Sequence, residues 1–308
     1  MKILFVDTVH SFLQEELAKQ NHICDTDYEK SKDEILQIIQ NYDGIVIRSR
    51  FLIDSSFIDC SSHLKFIARA GSGLENIDVK YAQSKGIACF NAAEGNRQAV
   101  GEHALGMLLS LFNNLNKADS EVRNGIWERE INRGEELTGK TIGIIGYGNN
   151  GSAFVNILKS FDVRILAYDK YVNDYPFQSD MDAIFQNADV LSLHIPLTEE
   201  TTYLVNENYI NQFQKPIYFI NTARGKCVKT TDLVAAIQKG KILGACLDVL
   251  EQEKTSFEGL SKENLSDELN YLLASEKTIL SPHIAGWSHQ SNKKIAKVLL
   301  QKISSINK

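Results

Sequence analysis

The chain has 308 residues, of which 43% are hydrophobic and 23% charged, enough for two globular domains and too apolar for extended disorder. Lys and Arg number 33 against 39 Asp and Glu, a formal net charge of -6, the wrong sign for a protein that neutralises nucleic-acid phosphates. The first apolar run stops at Asp7, and no run approaches the roughly 18 apolar residues of a membrane span. The expectation is a cytoplasmic protein with neither nucleic acid nor membrane as partner. Its five cysteines are scattered without a C-x-x-C pair, and His10, His22, His63, His103, His194 and His289 show no ligand spacing, so neither disulfides nor a metal site are expected.

In chain order, residues 2–6, 44–48, 64–70 and 87–90 are short β-branched runs that predict strands. Residues 11–19, 32–40 and 79–84 carry apolar positions at helical spacing between them. Such alternation predicts a parallel sheet covered by helices. Residues 98–123 predict one long helix whose apolar stripe, Ala99, Val100, Ala104, Met107, Leu108, Leu111 and Leu115, suits packing between domains or against a second subunit. A second series begins at residue 141: strands are predicted at 141–145, 164–168, 189–194, 217–221, 244–248 and 278–280. Among the intervening helices, 231–239 has Thr230 or Thr231 available as its N-cap, and an amphipathic helix over 292–306 closes the chain. The fold class is therefore α/β, with two doubly wound parallel-sheet domains.

The strand at 141–145 runs into Gly146-Tyr147-Gly148-Asn149-Asn150-Gly151 and then into a helix, and Asp169 closes the following strand. In that context Gly146 permits the tight turn, Gly148 lets a pyrophosphate approach the backbone, and Gly151 lets the helix pack closely. The helix N-terminus offers N–H groups to the anion. Asp169 suits a ribose diol and repels a 2′-phosphate, which favours NAD over NADP, and Lys170 beside it softens that preference.

Three more segments follow predicted strand ends, where open α/β sheets bind ligands. They are Asn221-Thr222-Ala223-Arg224-Gly225, Asp248-Val249 with Glu253 shortly after, and Ser281-Pro282-His283-Ile284-Ala285-Gly286. Singly, Arg224 suits an ion pair, Glu253 a solvated loop and His283 a packed core. Together they have the makings of hydride-transfer chemistry: a guanidinium to grip a carboxylate, a histidine to move a proton, and a carboxylate to orient it.

With His194-Ile195-Pro196-Leu197-Thr198 added, these motifs resemble the D-isomer-specific 2-hydroxyacid dehydrogenases in order and spacing over nearly the whole chain. The resemblance implies a Rossmann NAD-binding domain at 96–286 and a discontinuous, flavodoxin-like substrate domain at 1–95 plus 287–308, hinged to it, in a homodimer. It implies Arg224, Glu253 and His283 as catalytic residues. The implied cofactor contacts are Ser72, Gly146, Gly148, Asn149, Asn150, Gly151, Asp169, His194, Ile195, Pro196, Thr222, Ala223, Arg224, Asp248, His283, Ala285 and Gly286. Within the family the chain is similar to the D-3-phosphoglycerate dehydrogenases, which implies Arg48, Arg69, Gly71, Ser72, Gly73, Arg129, Arg224 and His283 around the substrate. Extra arginines suit a substrate bearing a phosphate as well as a carboxylate, and the Gly71-Ser72-Gly73 turn suits an anion nest.

That similarity leads to the expectation of NAD-dependent oxidation of D-3-phosphoglycerate, with a glyoxylate or hydroxypyruvate reductase, or an NAD-sensing corepressor-like scaffold, as alternatives. Asn149 and Asn150 depart from the family's usual basic and apolar pair, and Lys254 stands where a proline is usual. Residues 255–277 form a longer link than usual, expected to bulge outward. The chain ends at Lys308, so a C-terminal regulatory domain and serine feedback through it are not expected.

Overall fold

Runs such as Gly44–Ile47, buried along their whole length, can be satisfied only in a sheet covered on both faces. The computed structural model describes residues 1–253 and 265–306, and among them two all-parallel sheets are built from such runs. The expectations for Lys254 and for 255–264 lie outside the described residues. Two compact units emerge, residues 1–97 with 287–306 and residues 98–253 with 265–286. Among the described residues, no helix is long and apolar enough to cross a membrane.

The first unit holds β1 (Lys2–Phe5), β2 (Ile23–Thr26), β3 (Gly44–Ile47), β4 (Phe66–Arg69) and β5 (Ala88–Phe90), in the order β2-β1-β3-β4-β5. This is the flavodoxin-like order, with its switch point between β1 and β3. β2 corrects the sequence reading, which left 23–26 unassigned. It is an edge strand, with Ile23 exposed and no buried residue, so it lacks the apolar run that marked the others, and pairing with β1 organises it. On one face Ile3, Phe5, Leu13, Leu17 and Phe66 pack with Ala296, Leu299 and Ile303 of the C-terminal helix His289–Ser304. Burial of this kind is worth about 1.5–3 kcal/mol per large side chain, and it fastens the chain's end to the sheet formed by its beginning. That helix starts earlier than 292 because Ser288 and Ser291 close a capping box.

The second unit holds β6 (Thr141–Ile145), β7 (Arg164–Tyr168), β8 (Val190–Leu193), β9 (Ile217–Asn221), β10 (Ile242–Leu247) and β11 (Thr278–Leu280), in the order β11-β10-β9-β8-β6-β7. The chain steps from β6 outward to β7 and then back across to β8, so the order reverses beside β6. The predicted long helix is two helices, Ala93–Phe112 and Leu115–Arg123. Asn114 breaks them apart in the left-handed region, at φ 51°, a conformation asparagine tolerates better than most residues. The apolar stripe is likewise corrected. Ala104, Met107, Leu108 and Leu111 are buried in this unit's own core with Ile142, Ile144, Phe154 and Leu158, whereas Leu115 is exposed. Those four residues are therefore taken up by the unit's own core and offer no surface to a second subunit. Helix 230–238 also departs from expectation. Thr230 lies inside the helix Thr230–Gln238, and its N–H donates to the Glu251 carboxylate at 3.0 Å, an acidic group placed where the helix dipole favours one.

Candidate active site

The order reversal beside β6 puts two strand ends against each other. Gly146 leaves β6 at φ +94°, and a Cβ there would stand 2.5 Å from the His194 carbonyl oxygen at the end of β8. A Cβ on Gly151 would stand 1.9 Å from the Gly146 carbonyl oxygen, so only glycine lets the helix Asn149–Leu158 start so close to the strand. At Gly148 a Cβ would meet nothing within 4 Å, and no side chain caps the helix there. An open cradle in front of uncapped N–H groups is what a pyrophosphate requires. Asn150 Oδ1 and Thr222 Oγ1 are buried without a hydrogen-bond partner in the protein, polar atoms that a bound nucleotide could satisfy. The residues present therefore fit a dinucleotide.

Asp169 follows β7 and accepts hydrogen bonds from Tyr147 N–H (2.7 Å), Tyr171 N–H (2.8 Å) and Val172 N–H (2.9 Å), which fixes it beside the glycine loop. Lys170 is ion-paired with Glu200, which also accepts from the Tyr171 hydroxyl at 2.8 Å. Sequence reading missed Glu200. It counters the cation that would otherwise welcome a 2′-phosphate.

After β8, His194 contacts Ser192 Oγ through Nε2 at 2.9 Å, packs 5.4 Å from the Phe154 ring, and buries Nδ1 without a partner. Burial holds the imidazole neutral, pushing its pKa from 6.5 down to about 3. Between those values the unfolded chain binds a proton that the folded chain refuses, so His194 subtracts stability as pH falls through that window, by up to about 1.4 kcal/mol per pH unit. Urea unfolding from pH 6.5 to 4 should therefore show a steeper loss for the wild type than for His194→Gln, and parallel curves would remove His194 from the account.

Glycine again sets a close approach after β9. A Cβ on Gly225 would stand 2.0 Å from the Leu250 carbonyl oxygen, so the Arg224 loop lies directly on the loop that follows β10. Arg224 donates from Nη1 to the Ala223 carbonyl at 2.7 Å, and its own carbonyl accepts from Asn221 Nδ2 at 3.0 Å. In the β10 loop, Glu253 accepts from Leu250 N–H through Oε1 and contacts His283 Nδ1 through Oε2 at 2.8 Å. His283 is three-quarters covered and Glu253 more so. The pairing assigns Nδ1 to the carboxylate. His283 itself has φ 56°, a strained conformation for a residue with a Cβ. Asp248, 1% exposed, supports it: its backbone oxygen accepts from His283 N–H (2.8 Å), and its carboxylate from Ile284 N–H (2.8 Å) and Ala285 N–H (2.9 Å).

The second unit thus places Gly146, Gly148, Asn149, Asn150, Gly151, Asp169, His194, Ile195, Pro196, Thr222, Ala223, Arg224, Asp248, Glu253, His283, Ala285 and Gly286 at or past the C-terminal ends of its strands or in the first turn of the helix Asn149–Leu158. Arg129 is also in this unit, exposed in the stretch 122–131 ahead of β6.

The first unit has its own strand-end cluster. Asp7, just after β1, accepts from Arg48, Ser49 and Arg50 N–H at 2.6, 3.2 and 3.3 Å and so shapes the loop bearing Arg48. Sequence reading overlooked Asp7, although its place at a strand end was a usable signal. Arg69 donates from Nε to the Arg48 carbonyl at 3.1 Å, and Arg48 lies 4.2 Å over the Trp287 ring. Gly71 leaves room for the Arg69 guanidinium, which a Cβ would meet at 2.2 Å. The Gly71 N–H closes the turn onto Arg69 at 2.9 Å, and Ser72 Oγ donates to Asn96 at 2.7 Å. The Gly71 amide is therefore already used within the turn.

A doubly wound sheet with a glycine cradle at its switch point and a His-Glu pair beyond it defines an NAD(P)-dependent oxidoreductase class. Residues 105–285, more than half of the chain, match the model of the D-isomer specific 2-hydroxyacid dehydrogenase NAD binding domain. The chain is 34% identical over 275 residues to the hydroxypyruvate reductase of Thermotoga maritima, covering 88% of this chain and 87% of that one. It is 30% identical over 314 residues to the D-3-phosphoglycerate dehydrogenase of Archaeoglobus fulgidus, matching along its whole length but spanning 58% of that relative. The solved D-lactate dehydrogenase of Aquifex aeolicus, complexed with NAD and lactic acid, superposes with a TM-score of 0.82 at 26% identity over 99% of this chain and 95% of that one. The chain belongs to the D-isomer specific 2-hydroxyacid dehydrogenase family, and its cofactor is NAD.

Proposed function

We propose that this dehydrogenase interconverts D-3-phosphoglycerate and 3-phosphohydroxypyruvate, with Arg224 binding the carboxylate, His283 exchanging the hydroxyl proton and Glu253 orienting His283. The observation that carries the substrate choice is the linked pair Arg48 and Arg69, joined by the 3.1 Å bond at the ends of β3 and β4. Asp7 shapes the Arg48 backbone, the Arg48 guanidinium lies over Trp287 and the Arg69 guanidinium lies against the Gly71 turn, and two guanidinium groups at adjacent strand ends suit the charge of a phosphate.

When bound, NAD supplies the acceptor for the hydride that leaves C2. The chain's own residues do the rest. Arg224 carries a planar array of donors suited to a carboxylate and, by polarising the neighbouring oxygen, favours the developing carbonyl. His283 Nε2 takes the hydroxyl proton as the C2–H bond breaks, and the Glu253 carboxylate at Nδ1 stabilises the imidazolium that forms. Running backwards, the same proton returns to the carbonyl oxygen. Asp169 and the Lys170–Glu200 pair favour an unphosphorylated ribose.

The test is a set of Arg48→Ala and Arg69→Ala variants assayed for NADH oxidation. Each should lower kcat/KM for 3-phosphohydroxypyruvate about a hundredfold, roughly 2.7 kcal/mol, while changing that for hydroxypyruvate less than fivefold. Equal losses on both substrates would show that the arginines do not read the phosphate. The likeness to a hydroxypyruvate reductase over 87% of its length favours a second reading, in which the unphosphorylated oxo acid is the substrate.

A further inference from the structure

The helix residue His103 shows no metal-ligand spacing in the sequence. In the structure its Nε2 lies 2.8 Å from Ser281 Oγ and 3.5 Å from Asp248 Oδ1. Ser281 Oγ in turn lies 2.6 Å from Asp248 Oδ1 and 3.8 Å from the Met107 sulfur. A serine hydroxyl has one proton, and the short contact to a carboxylate, an acceptor, uses it. The contact to His103 must then run the other way, with Nε2–H donating to Ser281 Oγ. The direction of the chain is thus fixed without choosing a tautomer in advance: His103 N–H to Ser281 O–H to the Asp248 carboxylate.

That carboxylate is the group that receives the Ile284 and Ala285 amides, and the same residue's carbonyl receives His283 N–H. A left-handed, non-glycine residue such as His283 costs about 1–3 kcal/mol and persists only where its surroundings over-determine it. Asp248 is nearly fully buried, so its rotamer is set by the donors around it. Two of those donors are backbone groups of the strained loop itself and cannot anchor it independently. Ser281 begins that same loop just past β11, and His103, from the helix Ala93–Phe112, supplies the outside reference through it.

We infer that His103 and Ser281 are positioning residues that lock the Asp248 carboxylate and through it hold the His283 backbone in the left-handed geometry needed for proton transfer. The inference rests on the reading of His283 as the acid/base group. It concerns how that imidazole is held, and His103 touches neither substrate nor cofactor in this account.

The experiment compares His103→Leu, His103→Gln, Ser281→Ala and the Leu/Ala double variant, with His283→Ala run beside them. Each purified protein is assayed for kcat and KM in NADH oxidation, for NADH affinity by fluorescence titration, and for melting temperature. His103→Leu and Ser281→Ala should each lower kcat tenfold or more with NADH affinity unchanged within twofold. His103→Gln, which keeps an N–H donor, should recover most of the loss. The double variant should be no worse than the poorer single, because both break one chain. Rescue by Gln and a selective kcat loss are effects that mere loosening of the fold would not give. Unchanged kcat in His103→Leu and Ser281→Ala, or losses that add in the double variant, would overturn the inference. If these variants behave as the wild type while His283→Ala is inactive, the positioning chain fails and the acid/base reading stands. If His283→Ala is itself active, both fail.

Discussion

His283→Ala should lower kcat about a thousandfold while leaving NADH affinity within threefold of the wild type. General acid/base groups contribute about 10²–10⁴-fold, and this imidazole is oriented for such a role. It has a carboxylate at 2.8 Å on Nδ1 and a backbone held in an unfavourable region by Asp248. The glycine cradle that would take the pyrophosphate is built from a different segment, 146–151, so NADH affinity is expected to survive loss of the imidazole. Steady-state NADH oxidation and a fluorescence titration on the same sample separate the two effects. A kcat within tenfold of the wild type would show that another group moves the proton. A parallel loss of NADH affinity would show instead that the histidine serves the cofactor.

The second large effect concerns the glycine loop, where two similar substitutions should behave differently. Gly151→Ala forces a Cβ into backbone, 1.9 Å from the Gly146 carbonyl oxygen. Either the turn or the helix Asn149–Leu158 must move, at about 1–3 kcal/mol for overpacking. Melting temperature should drop by roughly 2–10 °C, and NADH affinity by at least tenfold, about 1.4 kcal/mol. At Gly148 the added methyl enters open space, so Gly148→Ala should melt like the wild type. Its NADH affinity should nevertheless fall at least tenfold, because that space is where the account puts the pyrophosphate. Thermal melting and fluorescence titration of both variants check the contrast. Normal NADH affinity in Gly148→Ala would place the dinucleotide elsewhere.

The sequence showed the parallel sheets because strands covered on both faces are continuous apolar runs, and the glycine loop because its three glycines answer to three separate steric demands. It did not show β2, whose residues Ile23–Thr26 carry no such run and depend on β1 for their conformation. Nor did it show the break at Asn114, since the apolar spacing continues to Leu115 as though the helix did. The larger gap lies in long-range polar partners. Asp7 reaches Arg48, Glu251 caps a helix at Thr230, Glu200 meets Lys170, and His103 meets Ser281 across 178 residues of chain. Periodicity describes a segment's own face and says nothing about which distant polar group will meet it. For that reason the His283, Glu253 and Arg224 set could be assembled from motifs, while the groups that hold it in place could not.

The most direct measurement is the kcat/KM of the wild-type enzyme for NADH oxidation with 3-phosphohydroxypyruvate, hydroxypyruvate and glyoxylate measured side by side. The expected result is a preference of about a hundredfold for the phosphorylated substrate, roughly 2.7 kcal/mol of transition-state discrimination. Equal or faster turnover of either unphosphorylated acid would contradict it and leave Arg48 and Arg69 without their assigned role.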